Sequence, residues 1–148
     1  MGWVEDLSGH VVALNTAPLI YYIEANPAYL PRVDPFFEAL GRDEIHAITS
    51  IVTLAETLVQ PIRKGDVVLM SRYEDLLLDT AQIDTIDLNA PIAQEVARLR
   101  ASYGLPTPDA IQLTTALVTG ASAFLTNDVR LVVVPDIKVI VLDRLPPT

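Results

Sequence analysis

Five short strand-like runs, separated by stretches of helical spacing, limit what this chain can fold into more than any other feature. Val11-Val12-Ala13-Leu14 is apolar and rich in branched residues, as a strand covered on both faces should be. Ala123-Phe124-Leu125-Thr126 has the same character, and 45–49 and 137–142 are further short strand candidates. Residues 83–88 form another, alternating apolar and acidic side chains. Between them lie helical signals. Pro18 suits a first turn for a helix over 19–24 that Asn26-Pro27 stops. Phe36, Phe37 and Leu40 have helical spacing, with Gly41 as the expected C-cap. Ser50 is placed to cap a helix through Leu54, Glu56, Leu58 and Val59 that stops near Pro61, and 67–78 forms another. The segment 91–103 has Ile92, Val96 and Leu99 along one face and ends at Gly104. Thr107-Pro108-Asp109 opens the last helix with a capping hydroxyl, a proline and a carboxylate, and Gly120 ends it. Strands alternating with helices predict an α/β fold: a central parallel sheet of about five strands with helices on both faces. No repeat, low-complexity tract or linker divides the chain, so 1–148 is expected to form a single domain.

Composition narrows the chemistry. The chain has 148 residues, 51% hydrophobic and 20% charged, which suits a folded domain with a substantial core. It contains no cysteine, which excludes disulfides, thiolate catalysis and Cys-based zinc or iron–sulfur sites. No apolar run approaches the ~20 residues of a membrane span. Glu5 and Asp6 precede the first apolar run where a secretory leader would be basic, so a cytoplasmic protein is expected. The formal net charge of −9 argues against a general electrostatic grip on nucleic acid. It leaves open an acidic site whose bound cations recruit phosphate. Asp43, Glu44, Glu74, Asp75 and Asp79 read as solvated surface.

Sites in open α/β sheets form beyond the carboxyl ends of the strands, often where strand order reverses. Asn15 ends the first strand, and Glu56 lies in the helix after the second. Asp109 opens a later helix, and Asp128 follows the fourth strand through Thr126-Asn127. A parallel fold can bring these distant positions to one sheet edge. Taken singly each has an ordinary explanation. Asn15 suits a turn or cap, Asp109 any helix start, and Asp128 a loop. Glu56, on a largely apolar helix, needs a partner unless that face of the helix is solvated. Thr16 and Thr126 are better explained by capping and satisfied hydroxyls than by roles in orienting water or a carboxylate.

Four segments, in order, resemble those of PIN-domain proteins, including the VapC-type toxins of prokaryotic toxin–antitoxin pairs. They are Val-Val-Ala-Leu-Asn-Thr-Ala-Pro-Leu-Ile, Ala-Ile-Thr-Ser-Ile-Val-Thr-Leu-Ala-Glu, Pro-Asp-Ala-Ile-Gln-Leu and Phe-Leu-Thr-Asn-Asp. The resemblance spans nearly the whole chain. It implies a PIN-like, Rossmann-like fold and an endoribonuclease in which Glu56, Asp109 and Asp128 hold one or two Mg²⁺ or Mn²⁺ ions. Asn15 stands where the family has its first acid. An amide keeps one ligand oxygen but lacks the charge that hard cations favour, so metal binding should be weaker. It also relieves repulsion among the remaining carboxylates in the absence of metal.

Two rivals stand beside the nuclease. One is a catalytically weak PIN domain that acts by binding a partner; by resemblance, this would be a cognate antitoxin presenting a basic side chain to the acidic cleft. The other is a phosphatase-like domain, which needs an acidic nucleophile where Asn15 stands. Arg63, Lys64 and Arg130 are candidates for contacting RNA phosphates, against a plain role in surface solubility. His10 and His46 lack neighbours at zinc-ligand spacing, and neither a phosphate loop nor a nucleophile elbow is present. Tyr21, Tyr22, Tyr29, Phe36 and Phe37 concentrate large rings in the first third of the chain. They make a homodimer or antitoxin surface if exposed, and core if not. Trp3, like the Tyr21-Tyr22 pair, suits packing or an interface better than a base-stacking platform.

Overall fold

The computed structural model describes residues 2–145. Five parallel strands form one sheet: β1 (Val11–Leu14), β2 (His46–Ser50), β3 (Ile83–Ile86), β4 (Ala123–Thr126) and β5 (Lys138–Val141), in the order β3-β2-β1-β4-β5. The helices are α1 (Thr16–Ile23), α2 (Leu30–Gly41), α3 (Ile51–Lys64), α4 (Val67–Leu78), α5 (Ala90–Tyr103) and α6 (Thr107–Val118). The chain builds outward from β1 to β3, then crosses back to place β4 on the other side of β1. Strand order therefore reverses between β1 and β4, which opens a crevice beyond their carboxyl ends.

Side chains alternate across the sheet and divide the core in two. Val12, Leu14, Ala47 and Leu125 face one side and pack with Leu19 of α1, Val33, Phe36 and Leu40 of α2, and Leu77 of α4. Ala13, Ile48 and Phe124 face the other, against Ile92 and Val96 of α5 and Ala110 and Leu113 of α6. Apolar residues on both strand faces thus produce the expected three layers. Phe36 and Phe37 are buried, and the tyrosines pair within the molecule. Tyr21 stacks on Tyr29 with centroids 4.2 Å apart, and Tyr22 on Phe37 at 4.0 Å. Trp3 stacks on Phe36. These contacts remove the main reason to expect an aromatic interaction surface in the first third of the chain. Among the described residues no helix is long and apolar enough to cross a membrane.

Several element ends differ from the sequence expectation. Helix α1 begins earlier, at Thr16, because Asn15 caps it. Helix α3 runs past Pro61 to Lys64 and ends at Gly65, whose φ of 65° is left-handed. Pro61 lies near the C-terminal end of α3, where a residue would normally donate its N–H to the previous turn, and its ring is buried. Gly41 is the last residue of α2 and not its cap; Asp43 takes the left-handed turn at φ 61°. Thr107 lies inside α6, and no side chain caps that helix. Strands β3 and β5 are shorter than 83–88 and 137–142.

Candidate active site

The site begins with strand register. Val12 pairs with Ala123 and Leu14 with Leu125, so Asn15 and Thr126 emerge side by side at the carboxyl edge. The Asn15 N–H donates to Leu125 O at 2.9 Å, continuing the pairing one step. Asn15 is also the N-cap of α1: its Oδ1 accepts the Thr16 N–H at 2.9 Å. That bond fixes the orientation of the amide. Nδ2 therefore points inward and donates to Thr126 Oγ1 at 2.9 Å.

The other positions converge on the same place. Asn15, Thr16, Tyr21, Glu56, Asp109, Thr126, Asn127, Asp128 and Arg130 line one open cleft of about 550 Å³. Glu56 is exposed on α3 and finds its partner in Thr16, whose hydroxyl donates to Oε1 at 2.8 Å. Thr16 thus orients a carboxylate, beyond the capping role expected of it. Asp109 occupies the first turn of α6, where the helix dipole favours an anion. Thr126 Oγ1 accepts the Asp128 N–H at 3.1 Å, and Asp128 Oδ1 accepts the Arg130 N–H at 3.0 Å. The Arg130 side chain folds back on Asp128: Nε lies 2.9 and 3.1 Å from the two carboxylate oxygens, and Nη2 donates to Oδ2. Nη2 is also 3.8 Å from Asp109 Oδ2.

These neighbours separate the two aspartates electrostatically. Burial raises the Asp109 carboxyl above the ordinary aspartate range, and the negative charges of Asp128 and Glu56 add to the rise. The Arg130 guanidinium holds Asp128 below that range. The cleft therefore holds one carboxylate that resists charging and one that is already paired.

The side chains match a hard cation in kind, since all are oxygen donors. They do not form a complete protein cage: among the described residues, no three His, Asp or Glu side chains stand close enough to hold a metal ion. Asp109 and Asp128, however, already share one positive group. Two carboxylates suit an ion that keeps several waters, the usual way proteins bind Mg²⁺.

Of the basic residues close in sequence to the acidic set, two lie away from the cleft, in keeping with a plain surface role. Arg63 and Lys64 end α3, seven and eight residues beyond Glu56, or about 10–12 Å of helix rise away; neither lines the cleft, whereas Arg130 does. His46 pairs with Asp84 at 3.0 Å, and His10 lies 3.2 Å from Ser122 Oγ. Tyr21 and Asn127 are site-lining residues that sequence reasoning missed. Asn127 Nδ2 donates to the Tyr21 hydroxyl at 3.2 Å, and its Oδ1 accepts the Asp143 N–H at 3.0 Å.

Below the cleft lies a buried polar chain that was also missed. Gln112, one turn after Asp109, accepts the Ser50 N–H at 3.3 Å through Oε1, and its Nε2 donates to Thr53 Oγ1. Thr53 and Thr49 hydroxyls are 2.7 Å apart, and Thr49 donates to Leu14 O at 2.9 Å. The one available signal was an amide at a core position of α6.

This fold is matched by known proteins. The PIN domain family model matches residues 14–137, and the chain belongs to that family. Similar solved structures include VapBC2 from Rickettsia felis bound to a DNA fragment from its promoter (17% identity, TM-score 0.69, covering 88% of this chain and 97% of that one). FitAcB from Neisseria gonorrhoeae is similar at 19% identity and TM-score 0.60, over 90% and 99% of the two chains. VapBC-5 from Mycobacterium tuberculosis, of the VapBC family of toxin–antitoxin systems, is similar at 17% identity and TM-score 0.56, over 89% and 98%. At these identities the likeness speaks to the fold. No curated protein matches the chain.

Proposed function

We propose that this chain is a ribonuclease of the VapC toxin type that hydrolyses phosphodiester bonds in RNA with the help of Mg²⁺ or Mn²⁺. One observation carries the proposal: Asn15, Glu56, Asp109 and Asp128, far apart in sequence, line one cleft at the carboxyl edge of a PIN-domain sheet. Asp109 and Asp128 are the residues to hold the ion, with Glu56 at the margin; the Asn15 oxygen is taken by the Thr16 N–H, so Asn15 would have to turn its amide to join them. When bound, such an ion lowers the pKa of water and offsets charge growing on the phosphate. The chain's own contribution is positional. Asn15 Nδ2 and Thr126 fix the carboxylate edge, Thr16 holds Glu56 over the cleft, and Arg130 supplies a planar donor fork for phosphate oxygens.

The test is a gel assay of the purified chain against a panel of structured RNAs with and without Mn²⁺. Mn²⁺-dependent cleavage that Asp109→Asn abolishes is the expected result. Cleavage that survives both Asp109→Asn and chelation would sink the proposal. A weakly catalytic binding protein is the second reading, favoured by Asn15 acting as a donor and by Arg130 already neutralising Asp128.

Partners follow the same resemblance. A cognate antitoxin is the partner proposed, since similar structures include a toxin–antitoxin complex from Klebsiella pneumoniae and a member of the VapBC family of toxin–antitoxin systems. Self-association is proposed beside it. Val59, Ile62, Val67 and Val68 are exposed around the turn between α3 and α4, a surface the aromatic residues do not provide. Ile62→Glu should leave the melting temperature within a degree or two, since the side chain is exposed. By light scattering the parent should be a dimer and the variant a monomer; a monomeric parent removes the homodimer.

A further inference from the structure

We propose that Arg130 is a built-in counter-cation: it competes with a divalent ion for Asp109 and Asp128, and gives way when an RNA phosphate takes its guanidinium. The inference rests on the metal-dependent reading above and adds a coupling between metal and substrate that the cleft residues alone do not imply.

Three observations support it. First, the guanidinium sits where a shared cation would. It engages both oxygens of Asp128 and lies 3.8 Å from Asp109, so it is the positive group common to the two carboxylates. A divalent ion entering between them must displace it, because two positive groups cannot share the same oxygens at short range without strong repulsion. Second, the pairing is local. Asp128 caps the short 3-10 turn Val129–Val133, and the Arg130 N–H on Asp128 Oδ1 aims the side chain back into the cleft. Third, the partners differ in exposure. The Arg130 side chain is 65% exposed, against 20% for Asp109 and 26% for Asp128. The guanidinium can swing away without opening the core, whereas the carboxylates stay fixed.

A guanidinium leaving a carboxylate needs another planar anion, and a phosphodiester matches its fork. RNA bound over the cleft supplies one. Phosphate capture by Arg130 then frees Asp128 for the ion, and ion binding releases Arg130 for phosphate. Metal and RNA should therefore bind with positive, reciprocal coupling. The arrangement keeps a net-acidic cleft partly neutralised until substrate arrives.

The test is calorimetric titration of Mn²⁺ into the parent, Arg130→Gln and Asp109→Asn. Each is measured with and without a short 2′-O-methyl RNA oligonucleotide, whose intact length is checked by mass spectrometry afterwards. Without oligonucleotide, Arg130→Gln should bind Mn²⁺ about tenfold more tightly than the parent, as expected when a paired positive charge leaves the site. The oligonucleotide should tighten Mn²⁺ binding to the parent several-fold and to Arg130→Gln by a smaller factor. Equal Mn²⁺ affinity in the parent and Arg130→Gln, with Asp109→Asn weakened, overturns the counter-cation and leaves the metal site standing. Equal tightening by oligonucleotide in both overturns the hand-over. Mn²⁺ binding unaffected by Asp109→Asn, or absent from all three proteins, overturns the metal site and this inference with it.

Discussion

Asn15 and Asp109 show how single side chains tune the cleft. Asp109 is raised by burial first and by the Asp128 and Glu56 charges second, so the folded chain holds its proton more tightly than the unfolded chain does. Its charged form therefore costs stability above the raised pKa, and that cost disappears below the unfolded value near ~3.9. Asp109→Asn removes the cost. It should raise the metal-free melting temperature at pH 7 by about 1–3 °C for a domain of this size, with the gap closing as pH falls toward 3. The Asp128–Arg130 pair is present in both proteins, so its own acid loss largely cancels from the difference. A gap independent of pH would show that Asp109 is not strained by its charge. Asn15→Asp works in the opposite direction. It keeps the cap oxygen on Thr16 but exchanges an amide donor beside Asp109 for a second buried negative charge. The metal-free variant should lose about 2 kcal/mol in urea unfolding, and Mn²⁺ should stabilise it more than the parent by mass action. Equal response to Mn²⁺ in both proteins would show that position 15 is not a metal corner. Asn15, Asp109 and Asp128 were legible from the sequence because strand ends and helix starts announce themselves locally, and Glu56 because an acid stood out on a largely apolar helix. The inward turn of the Asn15 amide and the return of Arg130 onto Asp128 were not, since both depend on partners more than a hundred residues away or on a side-chain rotation that no spacing encodes.

At the scale of elements, the junction of α6 with β2 and α3 sets how the acidic helices meet. Gln112 is 2% exposed and lies on the same side of α6 as Asp109, three positions on. Its amide begins a hydrogen-bonded sequence through Thr53 and Thr49 to Leu14 O, joining α6, α3, β2 and β1 beneath the cleft. One consistent proton assignment has each hydroxyl accept from one neighbour and donate to the next, so that the bonds reinforce one another. Gln112→Met fills similar volume but takes the acceptor from the Ser50 N–H and one donor from Thr53 Oγ1, whose hydroxyl keeps only Thr49. We expect a loss of about 2–3 kcal/mol in urea unfolding. Combining it with Thr53→Val should cost clearly less than the sum of the two single changes. Additive losses would mean that the chain of bonds does not act as a unit. Helix and strand types followed from periodicity and branching, and even 67–78 matched α4 at both ends. The ends that differed share one cause. Pro61, Gly41 and Thr107 each carry a local preference for stopping or starting a helix, and tertiary packing or a neighbouring residue took the role instead.

For the whole molecule, charge and fold make opposite demands on an RNA ligand. A net charge of −9 repels a polyanion, while the strand-order reversal concentrates carboxylates in the one crevice where substrate is expected. The only basic side chain lining that crevice among the described residues is Arg130, which is committed to Asp128. The protein in EDTA should therefore hardly retain a labelled single-stranded RNA in filter binding at moderate salt. Mn²⁺ should restore retention by placing positive charge in the cleft. The salt dependence is the sharper measurement. Each phosphate neutralised by a basic side chain contributes a slope of about −0.7 in log K against log salt for a single strand. One arginine and a bound ion predict a slope of only about −1 to −2 in Mn²⁺, against about −4 or steeper for a protein gripping RNA through a broad basic face. Retention that is equally strong in EDTA, or a slope near −4, would place RNA on a basic surface away from the cleft and detach the acidic site from its substrate.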